Sequence, residues 1–245
     1  MKPVLAILLF ASLFFIQCSK DTTTPQTKDN TTTQKKESTV TQTKESQTKM
    51  TPVQALQMLK DGNSRFVAGK ELDRNLMQQV KQTSKGQYPY AVVLSCIDSR
   101  ASSELIFDQG MGDIFNARIA GNIVDEDALG GMEFSCKVMG AKLIVVLGHT
   151  SCGAIKGACD KVELGNLTSL LKKIEPVVAS VKSEGDRSSK NDVFVEEVSK
   201  ENVMYGMKEI KERSAVLKEM IDKGEIIMVG GMYDVETGKV IFYEK

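Results

Sequence analysis

The sequence predicts an α/β domain with a mostly parallel central sheet, and three apolar runs carry that prediction. "YAVVLS" (90–95) and "KLIVVLG" (142–148) are continuous rather than alternating, as expected of strands buried on both faces. "IFNARI" (114–119) is the third run, and a helical pattern separates it from 142–148. Strand, helix and strand in that order make a parallel βαβ unit with a right-handed crossover.

The other elements follow along the chain. "TPVQALQMLKDGNSRF" starts with Thr51, Pro52 and Gln54, a capping box with proline at the first helical position. Ala55, Leu56, Leu59 and Phe66 give this helix one buried stripe. In "DEDALGGMEFSCKVMG", Asp125 can cap a helix that Gly140 can stop, with Ala128, Met132, Phe134 and Val138 as its apolar residues. Helical stretches are expected at 166–182, 191–212 and 214–223. "EIIMVGGMYDVETGKVIFYEK" reads as two strands around the turn "DVETGK".

Before this domain the composition changes. "MKPVLAILLFASLFFIQCSK" has a basic start, an apolar run too short to span a bilayer stably, and then Cys18, the layout of an export signal. Its cysteine suggests a bacterial lipoprotein signal over 1–18, with Cys18 lipidated and the protein held at a membrane in the periplasm or at the cell surface. Gln17 departs from the small residues usual just before such a cysteine. Residues 19–49 hold one large apolar residue besides small and polar ones, Val40, and read as a disordered polar tether of roughly 30 Å average span. The folded domain is then expected over 50–245. The 32 basic and 32 acidic residues cancel, so charge gives no indication of a nucleic-acid partner.

The chemistry gathers at strand ends. Cys96 directly follows the first apolar run; His149, the only histidine of the chain, and Cys152 follow the third. Ligands of parallel sheets collect at the carboxyl ends of strands, where these three side chains can converge. Two thiolates and an imidazole suit tetrahedral zinc and leave one position open, a catalytic rather than structural arrangement. Asp98 and Arg100, two residues apart, leave an extended segment on the same side. Two roles fit the pair. Arg100 can hold the Asp98 carboxylate to accept a hydrogen bond from the reacting water, or Asp98 can itself become a fourth ligand and close the site.

"CIDSR", "ARIAGN" and "GHTSCGA" together resemble the β-class carbonic anhydrases, and the likeness runs from the first helix to "GGMYDVETGKVIF". It implies that Cys96, His149 and Cys152 bind one zinc ion and that Asp98 and Arg100 form the catalytic pair. The reaction implied is reversible hydration of CO2 to bicarbonate and a proton, by hydroxide generated at the zinc. The alternatives are hydrolysis of carbon disulfide or carbonyl sulfide on the same scaffold, or a non-catalytic zinc-holding surface protein that binds a partner. The resemblance also implies that Gln87 contacts substrate, that Phe115, Ala120 and Gly121 border a narrow apolar pocket, and that the chain assembles as a homodimer or homotetramer. Phe134 stands where such relatives often carry tyrosine. No tryptophan is present for the family's allosteric bicarbonate pocket. Cys136 and Cys159 fall in predicted helices, and nothing in the sequence says whether they pair.

Overall fold

A computed structural model describes residues 41–243. The expected signal with Cys18, and the tether as far as residue 40, lie outside the described residues.

Helices α1 (Lys44–Lys49), α2 (Pro52–Val67) and α3 (Leu76–Thr83) precede strand β1 (Ala91–Ser95). Then come α4 (Ser103–Ile106), β2 (Ile114–Arg118), a single 3-10 turn (Ala120–Asn122), α5 (Glu126–Glu133) and β3 (Leu143–His149). Helices α6 (Gly153–Cys159), α7 (Gly165–Lys172), α8 (Glu175–Ser180), α9 (Asp192–Arg213) and α10 (Ala215–Asp222) lead to β4 (Ile227–Tyr233) and β5 (Val240–Tyr243). The sheet order is β2-β1-β3-β4-β5; the first four strands are parallel and β5 runs antiparallel to β4. This is the predicted class.

Alternate residues of the central strands serve two cores, because strand side chains leave opposite faces in turn. Val92, Leu94, Ile144 and Val146 pack with Leu129 and Met132 of α5, Val203 and Ile210 of α9, and Leu217 of α10. Ala91, Val93, Leu143, Val145 and Leu147 face Ala55 and Leu59 of α2 together with Phe107. Burial of both faces explains why these strands are continuous apolar runs. Helix α9 lies close on the sheet because β3 and β4 carry glycines beneath it. A Cβ at Gly148 would stand 2.7 Å from one methyl of Val203, and a Cβ at Gly230 would stand 2.8 Å from the other.

Three expectations need correction. The domain starts before Met50: Thr43 caps α1 with a capping box, and Gln47, buried, donates through Nε2 to the carbonyls of Pro89 (2.6 Å) and Met139 (2.9 Å). The helix expected over 166–182 is two helices, since Pro176 sits in the first turn of α8, where proline starts a helix better than it continues one. The helix after Asp125 keeps its cap and its buried Ala128 and Met132 but ends as a π-helical turn, Phe134–Val138. That turn leaves Phe134 and Val138 exposed and Cys136 buried. Cys136 and Cys159 are both free thiols.

Candidate metal centre

β1 and β3 are adjacent and parallel, with Ser95 level with Leu147. Cys96, one residue past Ser95, and His149, two past Leu147, therefore reach the same edge. The chain then turns sharply through Ser151, at φ 54°, so that Cys152 is the N-cap of α6 and comes back to them. One donor atom from each of Cys96, His149 and Cys152 lies within 4.8 Å of the others, and the two sulfurs are 4.0 Å apart. All three residues are buried.

Hydrogen bonds fix the state of each donor. His149 Nδ1 is 2.9 Å from the carbonyl oxygen of Thr150. A carbonyl only accepts, so Nδ1 carries the proton and Nε2 presents its lone pair. That Nε2 is buried without a hydrogen-bond partner. A buried acceptor with no donor is costly, and here it faces two sulfurs; this donor set and this tautomer fit a zinc ion. The two thiols share a proton. The Cys96 thiol is held well below its usual range, first by the hydrogen bond from the Cys152 thiol and also by the Gly121 N–H, against the opposing effect of burial. Cys152, which donates to Cys96 and is buried, is pushed up. A cation bound between the two sulfurs would displace the proton they share.

Asp98 lies beside this cluster but outside it, with Oδ2 3.9 Å from His149 Nε2. Both of its oxygens are taken by Arg100: Nε to Oδ1 at 2.9 Å, Nη2 to Oδ2 at 2.7 Å, and the Arg100 backbone N–H to Oδ1 at 2.9 Å. The Arg100 side chain is the main cause that holds the Asp98 carboxyl well below the usual carboxylate range. Of the two roles open to Asp98 from the sequence, this conformation shows the carboxylate held by Arg100, beside the three converging donors rather than among them.

Two contributors escaped the sequence reading. Arg118, at the end of β2, donates to the carbonyls of Cys96 (Nε, 3.0 Å) and Asp98 (Nη2, 2.6 Å) and so fixes the backbone that carries both residues. Its position at a third strand end was the available signal. Thr150 acts through its carbonyl, which no side-chain pattern reveals.

Of the residues expected to border the pocket, Gly121 is at the centre: its N–H donates to Cys96 Sγ at 3.3 Å, and Ala120 begins the same turn. Gln87 and Phe115 are not brought there within one chain. Gln87 is exposed and precedes β1, hence at the amino edge of a strand about 16 Å long. Phe115 is level with Val92, about 10 Å short of the carboxyl edge, and meets Phe134 edge-on at 6.1 Å between ring centroids.

Comparison with known proteins agrees with this geometry. Residues 91–240 match a family profile described as "Carbonic anhydrase". Carbonic anhydrase 2 of Mycobacterium tuberculosis (strain CDC 1551 / Oshkosh) is 36% identical over 198 residues, 78% of this chain and 92% of that protein. Among solved structures, the β-carbonic anhydrase CcaA is 26% identical with a TM-score of 0.61, covering 77% of this chain and 87% of that one. A tetrameric β-carbonic anhydrase of Sordaria macrospora shares the fold at 23% identity and TM-score 0.57, covering 68% and 90%.

Proposed function

The chain belongs to the β-class carbonic anhydrases, zinc enzymes that hydrate CO2 reversibly to bicarbonate and a proton, and on that premise we propose how its residues divide the reaction. Cys96 and Cys152 hold the metal through Sγ and His149 through Nε2. The observation that carries this is the buried, partnerless Nε2 facing two sulfurs. Zinc, when bound, supplies the positive charge that makes water a nucleophile near neutral pH. Asp98 accepts a hydrogen bond from the reacting water and leaves the water's lone pair toward CO2. Arg100 keeps Asp98 ionised and aimed, by two side-chain hydrogen bonds and one backbone hydrogen bond. Because its carboxyl is held so low, Asp98 is a poor store for the product proton, and the only histidine is a ligand. The proton therefore leaves through water to buffer, and turnover rises with buffer concentration; a flat response would refute that route.

Assembly follows from the residues left out of the centre. Gln87 and Phe115 stand away from their own Cys96, while Leu76, Met77, Phe134 and Val138 expose apolar surface on the same chain. We propose a homodimer, or a tetramer of such pairs, in which a second copy brings Gln87 and Phe115 to this site; the Sordaria relative is tetrameric. The opening residues further support export, with a lipid on Cys18 as anchor.

Stopped-flow CO2 hydration with zinc quantified on the same sample tests the reaction: rapid hydration by a zinc-loaded chain supports it, and zinc without hydration at any pH overturns it. Co-expression tests the shared site. Cys152→Ala chains lack a metal site, and Gln87→Ala chains lack the donor, yet a mixed dimer pairs an intact metal site with an intact Gln87. Recovery of activity above that of either variant alone is expected, and its absence would place Gln87 outside the site.

A further inference from the structure

The mechanism leaves one buried polar side chain of α9 unexplained. Asn202 is 4% exposed, in the middle of a helix face that is otherwise mostly apolar, with Val198 one turn before it and Gly206 one turn after. Its Nδ2 donates to the carbonyl oxygen of Gly121 at 2.8 Å, across 81 residues of sequence. Gly121 is the residue whose N–H donates to Cys96 Sγ. Its two peptide groups thus point in different directions to two partners, one on the metal centre and one on α9.

This turn would not hold that shape unaided. Gly121 has φ 69° and ψ 20°, and Asn122 follows with φ 44°, so two successive residues are left-handed and the second is not glycine. Upstream, the Ile119 N–H anchors the turn to the Ser95 carbonyl at 3.0 Å. Downstream, the Gly121–Asn122 peptide is held from both sides: its N–H, on Asn122, donates to the Ile119 carbonyl at 2.8 Å within the turn, and its carbonyl, on Gly121, accepts from Asn202, the bond that ties the turn to α9. Without Asn202 that peptide keeps only its bond to Ile119, about which it can tilt, and the tilt carries the Gly121 N–H off the sulfur.

We propose that Asn202 is a positioning residue of the metal centre: by gripping the Gly121 carbonyl from α9, it aims the Gly121 N–H at the Cys96 sulfur. The inference rests on the metal reading above. An N–H···S bond withdraws electron density from a metal thiolate, so Asn202 sets how strongly Cys96 donates to the metal and how well the metal is held, without touching either.

The test uses the full chain with cobalt(II) in place of zinc, whose thiolate-to-metal charge-transfer band reports the donor strength of sulfur. Asn202→Leu keeps the volume and removes the donor. The expected result is a shift of the band to lower energy, with zinc affinity in chelator competition weaker by about 10- to 100-fold. Ile210→Ala loosens the same helix without contact to Gly121 and is expected to leave the band in place. An unmoved band in metal-loaded Asn202→Leu, or an equal shift in Ile210→Ala, overturns the proposal. Should Asn202→Leu fail to fold, Asn202→Ala is read in the same way, and failure of both assigns Asn202 to the core instead. If the parent chain takes up no cobalt or zinc, it is the metal reading that falls.

Discussion

Gly121→Ala perturbs the centre at a single added methyl group. At φ 69° an L residue costs about 1–2 kcal/mol over glycine. The new Cβ would lie 2.8 Å from Ile174 Cδ1 and 3.3 Å from Ala154 Cβ. Ile174 is fully buried but meets the methyl with the end of its side chain, so it can yield by leaving its preferred rotamer, at about 0.5–1.5 kcal/mol. The reduced freedom of the unfolded alanine chain returns about 0.4–1 kcal/mol. The net destabilisation is therefore about 2 kcal/mol. It is read from urea unfolding of zinc-depleted protein at fixed chain concentration, since the proposed assembly would make stability depend on it. Metal retention separates this variant from an ordinary core defect. Leu59→Ala, in the core on the α2 side, is expected to cost about 2–5 kcal/mol with unchanged zinc affinity, whereas Gly121→Ala weakens both. A Gly121→Ala protein as stable as the parent that binds zinc equally well would refute the account of this turn, because the two costs outweigh the return even at their lower ends.

Asp98→Asn leaves one acceptor oxygen and turns an amide N–H toward the Arg100 guanidinium. Activity is expected to fall by about 10²- to 10⁴-fold with zinc content retained. A depressed folded-state pKa stabilises above the unfolded value of about 4 and ceases to do so as pH falls toward the folded value. The stability gap between the metal-free parent and Asp98→Asn should therefore be flat from neutrality to about pH 4 and close only below it; a gap that closes near pH 6 would contradict the Arg100 pairing. Gln47→Ala strips the donor from one buried and one half-buried carbonyl and should cost about 2 kcal/mol, and a chain beginning at Met50 should melt several degrees below one beginning at residue 41, at about 2–4 °C per kcal/mol. Equal melting temperatures would return α1 to the tether. Zinc uptake near neutral pH should release about one proton from the shared thiol pair, measured calorimetrically in buffers of different ionisation enthalpy; a release near zero would mean that both thiols are already ionised without metal.

What the sequence made legible was what short-range patterns encode. Continuous apolar runs identify β1 and β3, and the ends of those runs put Cys96, His149 and Cys152 at one edge. Pattern fails where a residue acts through one contact. Helix α1 is polar throughout and tied to the domain through the Gln47 amide rather than an apolar stripe, so composition read it as tether. The choice between the two roles of Asp98 depended on whether the guanidinium of Arg100 reaches both carboxylate oxygens, a matter of geometry that a spacing of two residues permits but does not require.

The deeper limit concerns the division of a site between short-range and long-range partners. Cys96 receives its hydrogen bond from a glycine 25 residues on, and that glycine is held by an amide 81 residues further. Glycine and asparagine are both common in turns and caps, so neither stands out in the sequence. What marks them is a coincidence in space: a left-handed turn at the end of β2 passing beneath the one buried amide on the inner face of α9. That coincidence depends on how closely α9 lies on the sheet, hence on Gly148 and Gly230 under Val203, the residue next to Asn202. A side chain at either glycine would lift the helix, and the Asn202 amide with it. The small residues of β3 and β4 that look like packing details are therefore part of what keeps the Gly121 N–H on the sulfur. Gly230→Ala should accordingly weaken zinc binding from a position outside the metal centre.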